Sequence, residues 1–201
     1  MSEKGVFILS ERALADVIDQ VSGDQWGEMK PDWFQTGGQG DASLRQIVNY
    51  HAFDSAWVPD VLAGRTLAEV GSAHDHVKTD ADVSYRAISD AAIAAAEALD
   101  DLDRIVHLSY GDFPAREYLK HVTSFRGFRA YDIARWIGVS TDLPPDLVQG
   151  MWDELLPEID AWRAMGVYGP AIPVPDDAPL QDRLLGLVGR DPLATRATPS
   201  G

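Results

Sequence analysis

Tyr50, His51 and Asp54 stand close together in one segment of the chain, and Arg126 and Arg129 stand close together in another. In a helix, Asp54 lies within reach of both Tyr50, four residues earlier, and His51, three residues earlier. Such a carboxylate would orient His51 as a general base near neutral pH, with Tyr50 as the acid and Arg129 stabilising developing negative charge. The same spacing also suits a core histidine hydrogen-bonded to Asp54, with Tyr50 filling space. Arg126 and Arg129 fall on the apolar stripe of Leu119, Val122, Ile133, Trp136 and Ile137, so both guanidinium groups point toward the core. A buried guanidinium needs anionic or hydrogen-bonding partners, because leaving one unpaired costs several kcal/mol. Either the pair clamps a substrate carboxylate or phosphate, or it meets Asp54, Asp132 or Glu117 as buried ions. Trp57 and Phe125 complete the substrate-binding set as apolar walls, with His121 one turn before Phe125.

Other polar groups carry weaker signals. His74 and His76 are two apart in a loop, which reads as solvated surface. His107 and Tyr110 lie in a connector and could line an open end of the fold. There is no nucleotide-binding loop, no dinucleotide fingerprint and no serine elbow.

The elements that must position these residues are helices. Phe7, Ile8, Leu14, Val17, Ile18 and Val21 make one face of a first helix, with Ser10 and Glu11 near its start and Gly23 past its end. Trp26 to Asp41 is a loop whose end holds Gly37, Gly38 and Gly40. Asp41 or Ser43 caps a second helix through Leu62, kinked or shortened by Pro59. A crossover follows, then a third helix opened by Asp80 and Asp82 and faced with alanines to Leu99. After a connector over 100–112, Pro114 opens a fourth helix to Gly138. Pro144 and Pro145 begin a fifth that runs to Gly166, and LQDRLLGLVG forms a short last helix. The expectation is an all-α fold, a four-helix bundle whose middle pair runs parallel, as one domain over 1–190 with a flexible tail over 191–201.

Composition narrows the function classes. The chain has 201 residues, a net charge of −15 and no cysteine. Such acidity opposes a nucleic-acid or anionic-membrane partner, and the missing cysteines exclude disulfides, a thiolate nucleophile and Cys-ligated zinc. No stretch reaches the ~18 apolar residues of a membrane-spanning helix, and the N-terminal apolar run is short for a secretory signal, so a cytoplasmic location is expected.

Several segments resemble a known group. LRQIVNY and AWVPDVLAGRTLAEVG in the second helix, FPAREYLK and AYDIARWIG in the fourth, and the tail YGPAIPVPDDAPLQDRLLGLVGRDP are similar to the DinB-like bundle proteins that include mycothiol-dependent maleylpyruvate isomerase. The resemblance covers most of the chain and implies a DinB-like bundle, up-down-down-up, with additional C-terminal helices. Such proteins hold a divalent metal through an asparagine-histidine pair in the second helix and an acidic-x-x-x-His-x-x-Asp motif in the fourth. The corresponding positions here fall on Tyr50, with His51 next to it, on Phe125 and on Arg129; Asp132 follows the motif's last position. Phenylalanine offers no lone pair and arginine is a permanent cation, so neither the family metal nor any other cofactor is expected. A displaced site using His51, Asp54 and His121 is the alternative.

The resulting expectation is a metal-independent enzyme of isomerase, cyclase or lyase type acting on a small, carboxylated metabolite in the bundle cavity. A non-catalytic binding or regulatory bundle is the second reading, and a metal- and thiol-dependent isomerase or transferase with relocated ligands is the third. A homodimer through an outer helix pair is compatible with the sequence.

Overall fold

The computed structural model describes residues 1–34, 40–80 and 82–193. Gly37 and Gly38 of the glycine run, and positions 194–201 of the expected tail, lie outside the described residues. The chain is mostly helical, as expected, and divides into two compact units, residues 1–141 and 142–201. No described helix is long and apolar enough to cross a membrane.

In the first unit, α1 spans Glu3–Ile18 and begins four residues before the expected start, because the Ser2 hydroxyl accepts from the Gly5 amide and Glu3 sits at the positive helix end. Ser10 and Glu11 are therefore not near its start. They lie in the middle of the helix, fully buried. Helix α2 spans Leu44–Leu62, and Ser43 with Gln46 forms a reciprocal capping box that closes both open amides. Pro59 sits inside its last turn, where few backbone bonds remain to be lost. The crossover contains a one-turn helix, α3 (Leu67–Val70), and a 3-10 turn at Asp75–Lys78. Helix α4 spans Tyr85–Ala98 and is capped by Ser84. Asp80 and Asp82 do not open it: the Asp80 carboxylate accepts from the Asp82 amide and holds a turn ahead of the helix.

The connector expected over 100–112 is in fact a β-hairpin, with β1 (Ile105–Leu108) antiparallel to β2 (Gly111–Pro114) and Val106 facing the core. Gly111, at φ +140°, takes a backbone conformation that a side chain would disfavour. Helix α5 follows at once over Ala115–Ile137 and stops at left-handed Gly138.

Helix α1 packs against α4 and α5, and α2 packs against α4. A central cluster joins Phe7, Val58, Leu62, Ala92, Ala96, Val106 and Leu119. The alanines of α4 let it approach its neighbours closely, as their pattern predicted. Helices α2 and α5 come together at fewer backbone points than the other pairs, and side chains bridge them instead.

In the second unit, the single fifth helix expected over 144–166 is two: α6 (Pro145–Leu155) and α7 (Ile159–Ala164). Pro157 falls between them, and its missing N–H and its ring stop the helix there. Helix α8 covers Leu180–Leu187, and the Gly186 carbonyl accepts from the Ile172 amide, drawing the proline-rich segment onto the helix.

Candidate functional site

The residues singled out for chemistry separate into a buried bridge and an open cleft. Arg126 anchors the bridge, with only 2% of its surface exposed. Its Nε donates to Oε1 of Glu11, its Nη2 to Ser55 Oγ at 3.0 Å and its Nη1 to the Val122 carbonyl at 3.1 Å. Ser55 Oγ in turn donates to Glu11 Oε1 at 2.8 Å, and Tyr85 Oη donates to Glu11 Oε2 at 3.1 Å. Burial alone would lower the Arg126 pKa, and the Glu11 carboxylate overrides it and raises it. The ion partner of Arg126 is thus Glu11 of α1, not Asp54, Asp132 or Glu117, and the pair is satisfied within the protein. Buried against these partners, the guanidinium presents no edge to the cleft for a substrate carboxylate.

His51 and Arg129 form the next step of the bridge. Arg129 Nε donates to His51 Nε2 at 2.9 Å, while Arg129 Nη1 stands 3.7 Å from Asp132 Oδ2 and its guanidinium lies over the Phe34 ring. His51 is buried, and burial together with Arg129 and Arg126 lowers its pKa well below the ordinary histidine value. The ring is neutral, with its proton on Nδ1, because Nε2 is the acceptor. The lone pair that a general base would use is therefore already engaged by Arg129. His51 has no hydrogen bond to Asp54.

The cleft, of about 440 Å³, opens between α2 and α5 beneath the hairpin. Helix α2 contributes Tyr50, Phe53, Asp54, Trp57 and Val61, and α5 contributes Tyr118, His121, Val122 and Phe125. The hairpin adds His107, Leu108, Ser109 and Tyr110, and Leu67 of α3 closes one side. Tyr50, Asp54, Trp57 and Phe125 thus share one cavity, whereas His51, Arg126 and Arg129 do not line it. Tyr50 and Phe125 are about half exposed at the mouth.

Asp54 is the most perturbed acid of the cleft. Burial raises its carboxyl pKa to about 6 from 3.8; Arg126 and Lys78 oppose that rise, and Glu11 adds to it. No hydrogen bond reaches its carboxylate from any described residue. Near it, His121 Nδ1 and Tyr110 Oη are 3.2 Å apart, and His107 Nδ1 is 2.8 Å from Asp112 Oδ1. The Asp54 charge and burial raise the Tyr50 pKa, and burial raises those of Tyr110 and Tyr118, so all three phenols keep their protons at neutral pH.

Phe53, Tyr118 and Leu67 belong to the cleft without having been singled out in the sequence. Tyr118 was within reach, since it stands three residues before His121 and seven before Phe125 on one helical face. His107 and Tyr110, which the sequence offered for an open end of the fold, and His121, which it left open between pocket and outer face, all reach it. The loop histidines diverge: His74 Nε2 is 2.8 Å from Asp60 Oδ2, and His76 Nδ1 is 3.0 Å from the Ala73 carbonyl.

The donor set does not fit the divalent metal that the resemblance implies. Among the described residues no three His, Asp or Glu side chains converge on one point. At the motif positions Phe125 has no donor atom and Arg129 places a cation on the His51 ring nitrogen. Compared with family models, curated proteins and solved structures, the chain has no match.

Proposed function

We propose that the chain is a cytoplasmic DinB-like bundle protein of the maleylpyruvate isomerase type that carries out acid-base chemistry on a small molecule in the α2–α5 cleft. The bundle reading draws on residue pairings. Lys4 with Leu99, Arg12 with Glu97 and Asp16 with Arg86 run α1 against α4, while Glu11 with Arg126 and Gln25 with Ile137 run α1 alongside α5. Ser55 with Arg126 and His51 with Arg129 run α2 against α5, and Asn49 with Asp80 and Leu62 with Arg104 run α2 alongside α4. Those senses support up-down-down-up for α1, α2, α4 and α5.

The observation that carries the catalytic reading is Asp54: a carboxyl with a pKa near 6, no protein hydrogen bond and an aromatic cavity in front of it. Both of its protonation states are populated near neutral pH, which suits a group that takes a proton and returns one. In this reading Asp54 is the base, in place of His51. Tyr50 stays protonated and donates to a developing oxyanion, and the Tyr110–His121 pair supplies the second proton position. Transfer of a substrate proton to Asp54 with donation of another from Tyr110–His121 amounts to an isomerisation, and donation to a leaving oxygen amounts to an elimination; exchange with solvent at the open cleft then takes the proton from Asp54 and restores the pair. The arginines that suggested a carboxylated substrate are turned toward Glu11, Ser55 and His51, so the negative charge of Asp54 is the charge a ligand meets. The apolar walls favour a second reading, a binding protein that holds the same ligand without turnover.

Incubation of the protein and of Asp54→Asn with a metabolite extract at pH 7, followed by chromatography and mass spectrometry, separates the two. The enzyme reading expects a metabolite converted to an isomer or a water-loss product, roughly 10²-fold or more slowly by the variant. Equal conversion by both proteins, or ligand recovered unchanged, refutes it.

A further inference from the structure

We infer that the α2–α5 cleft takes an organic ammonium, a protonated or quaternary amine attached to an apolar and preferably aromatic body. The inference rests on the reading that this cleft is the functional site, and it goes further by naming the ligand's charge and shape.

Among the described residues no lysine or arginine lines the cleft, and its fixed charge there is the carboxylate of Asp54. Six rings line the same cleft: Tyr50, Phe53, Trp57, Tyr110, Tyr118 and Phe125. An aromatic face carries partial negative charge, so several such faces around one carboxylate make a cage for a cation and repel an anion. One of these rings already carries an ammonium, with Lys78 Nζ 3.9 Å from the centroid of Phe53. Among the described lining residues, the groups able to become cationic are His107, which Asp112 balances, and His121, which bonds to Tyr110.

The missing hydrogen bond at Asp54 points the same way. Asp54 is half-buried, and the side of its carboxylate that no described residue reaches faces the cavity. An ammonium N–H, or the charge of a quaternary nitrogen, would complete that group and replace the solvation lost on burial. A volume near 440 Å³ suits a ligand of one ring and a short chain, and is too small for a folded partner.

Calorimetry at pH 7.5 with four matched probes tests the inference: phenethylamine, benzyltrimethylammonium, 3-phenylpropionate and 2-phenylethanol. Both ammonium probes should bind at least roughly tenfold tighter than the alcohol and the acid. Asp54→Asn should remove that gap while leaving the alcohol's affinity unchanged, and Trp57→Leu should weaken the ammonium probes more than the alcohol. The inference is overturned if 3-phenylpropionate binds as tightly as phenethylamine, if the ammonium probes do not bind, or if Asp54→Asn leaves their advantage intact. These results are independent of the turnover experiment. Conversion that needs Asp54 without an ammonium preference would sink this inference alone, and an ammonium preference without conversion would sink only the catalytic reading.

Discussion

Asp54→Asn is expected to stabilise the protein, and to do so only where Asp54 is ionised. In the folded chain the carboxyl titrates at about 6 instead of 3.8, because burial disfavours the anion more than Arg126 and Lys78 favour it, with Glu11 adding to the rise. At ~1.4 kcal/mol per pH unit, that difference amounts to about 3 kcal/mol. The side chain opens onto the cleft, and solvent screening there reduces the expected effect to about 2 kcal/mol. Because the folded pKa is the higher one, the group's contribution is fully present below pH 3.8 and is lost as pH rises to 6 and above. Asparagine has no such loss. In urea unfolding series between pH 3 and 8, the variant should gain almost nothing at the acid end and about 2 kcal/mol at the alkaline end, or roughly 4–8 °C in Tm. An advantage that does not change with pH would refute the reasoning. So would a variant less stable than the parent at pH 8, since that would mean the anion is held by a donor in the fold.

Three further outcomes are expected. Glu11→Gln leaves Arg126 buried without its counter-charge and should cost about 3–5 kcal/mol in denaturant unfolding, whereas Glu11→Leu combined with Arg126→Met should recover most of it; a neutral Glu11→Gln would show that the pair is not the anchor. The His51 ring should give the nitrogen NMR pattern of a neutral Nδ1–H imidazole at pH 6.5, where a free histidine is half protonated. Its lowered folded pKa makes stability fall as pH drops through the unfolded value of 6.5, a slope that His51→Gln should remove. A Cβ at Gly186 would collide with Val174 Cγ2 and lie 2.7 Å from the Ile172 carbonyl oxygen, so Gly186→Ala should lose about 1–3 kcal/mol and speed proteolysis of the segment around Ile172.

Much of the helical framework is legible in local chemistry. Ser43 sits at the head of the α2 stripe, and Pro114 and Gly138 bracket α5, so those boundaries follow from capping and backbone preference alone. The start of α1 was misplaced because Ser10 and Glu11 mimic a cap; Ser2 and Glu3 supply the real one. The signal for the true role of Glu11 was present, since Phe7, Glu11, Leu14 and Ile18 recur at spacings of four, three and four. A carboxylate on that stripe answers the arginines on the α5 stripe. What periodicity cannot supply is the pairing itself, because Glu11 and Arg126 are 115 residues apart. The hairpin escaped for a different reason: two strands of four residues leave too little alternation to distinguish from a loop. Pro157 was a readable stop that the apolar run from Leu147 to Trp162 concealed. In the site, the inward direction of Arg126 and Arg129 was legible, and their engagement by Glu11 and His51 was not. Tyr50, Asp54 and Trp57 share a helical face whose exposure to a cavity depends on how far α5 stands away.

The bridge and the cleft use adjacent lanes of the same two helices. On α2, His51 and Ser55 join the bridge while Tyr50, Asp54 and Trp57 face the cleft; on α5, Arg126 and Arg129 join the bridge while Tyr118, His121 and Phe125 face the cleft. Each lane repeats at three and four residues and is offset from its neighbour by about one position. Selection acting on what the cavity recognises can therefore change one lane without reopening the question of how the helices are held. Substitutions at Tyr50, Trp57 or Phe125 alter the walls, and the Ser55–Arg126 and His51–Arg129 hydrogen bonds that join α2 to α5 stay where they are. Side chains of the cleft lane can therefore be exchanged by single steps without touching the bonds of the bridge.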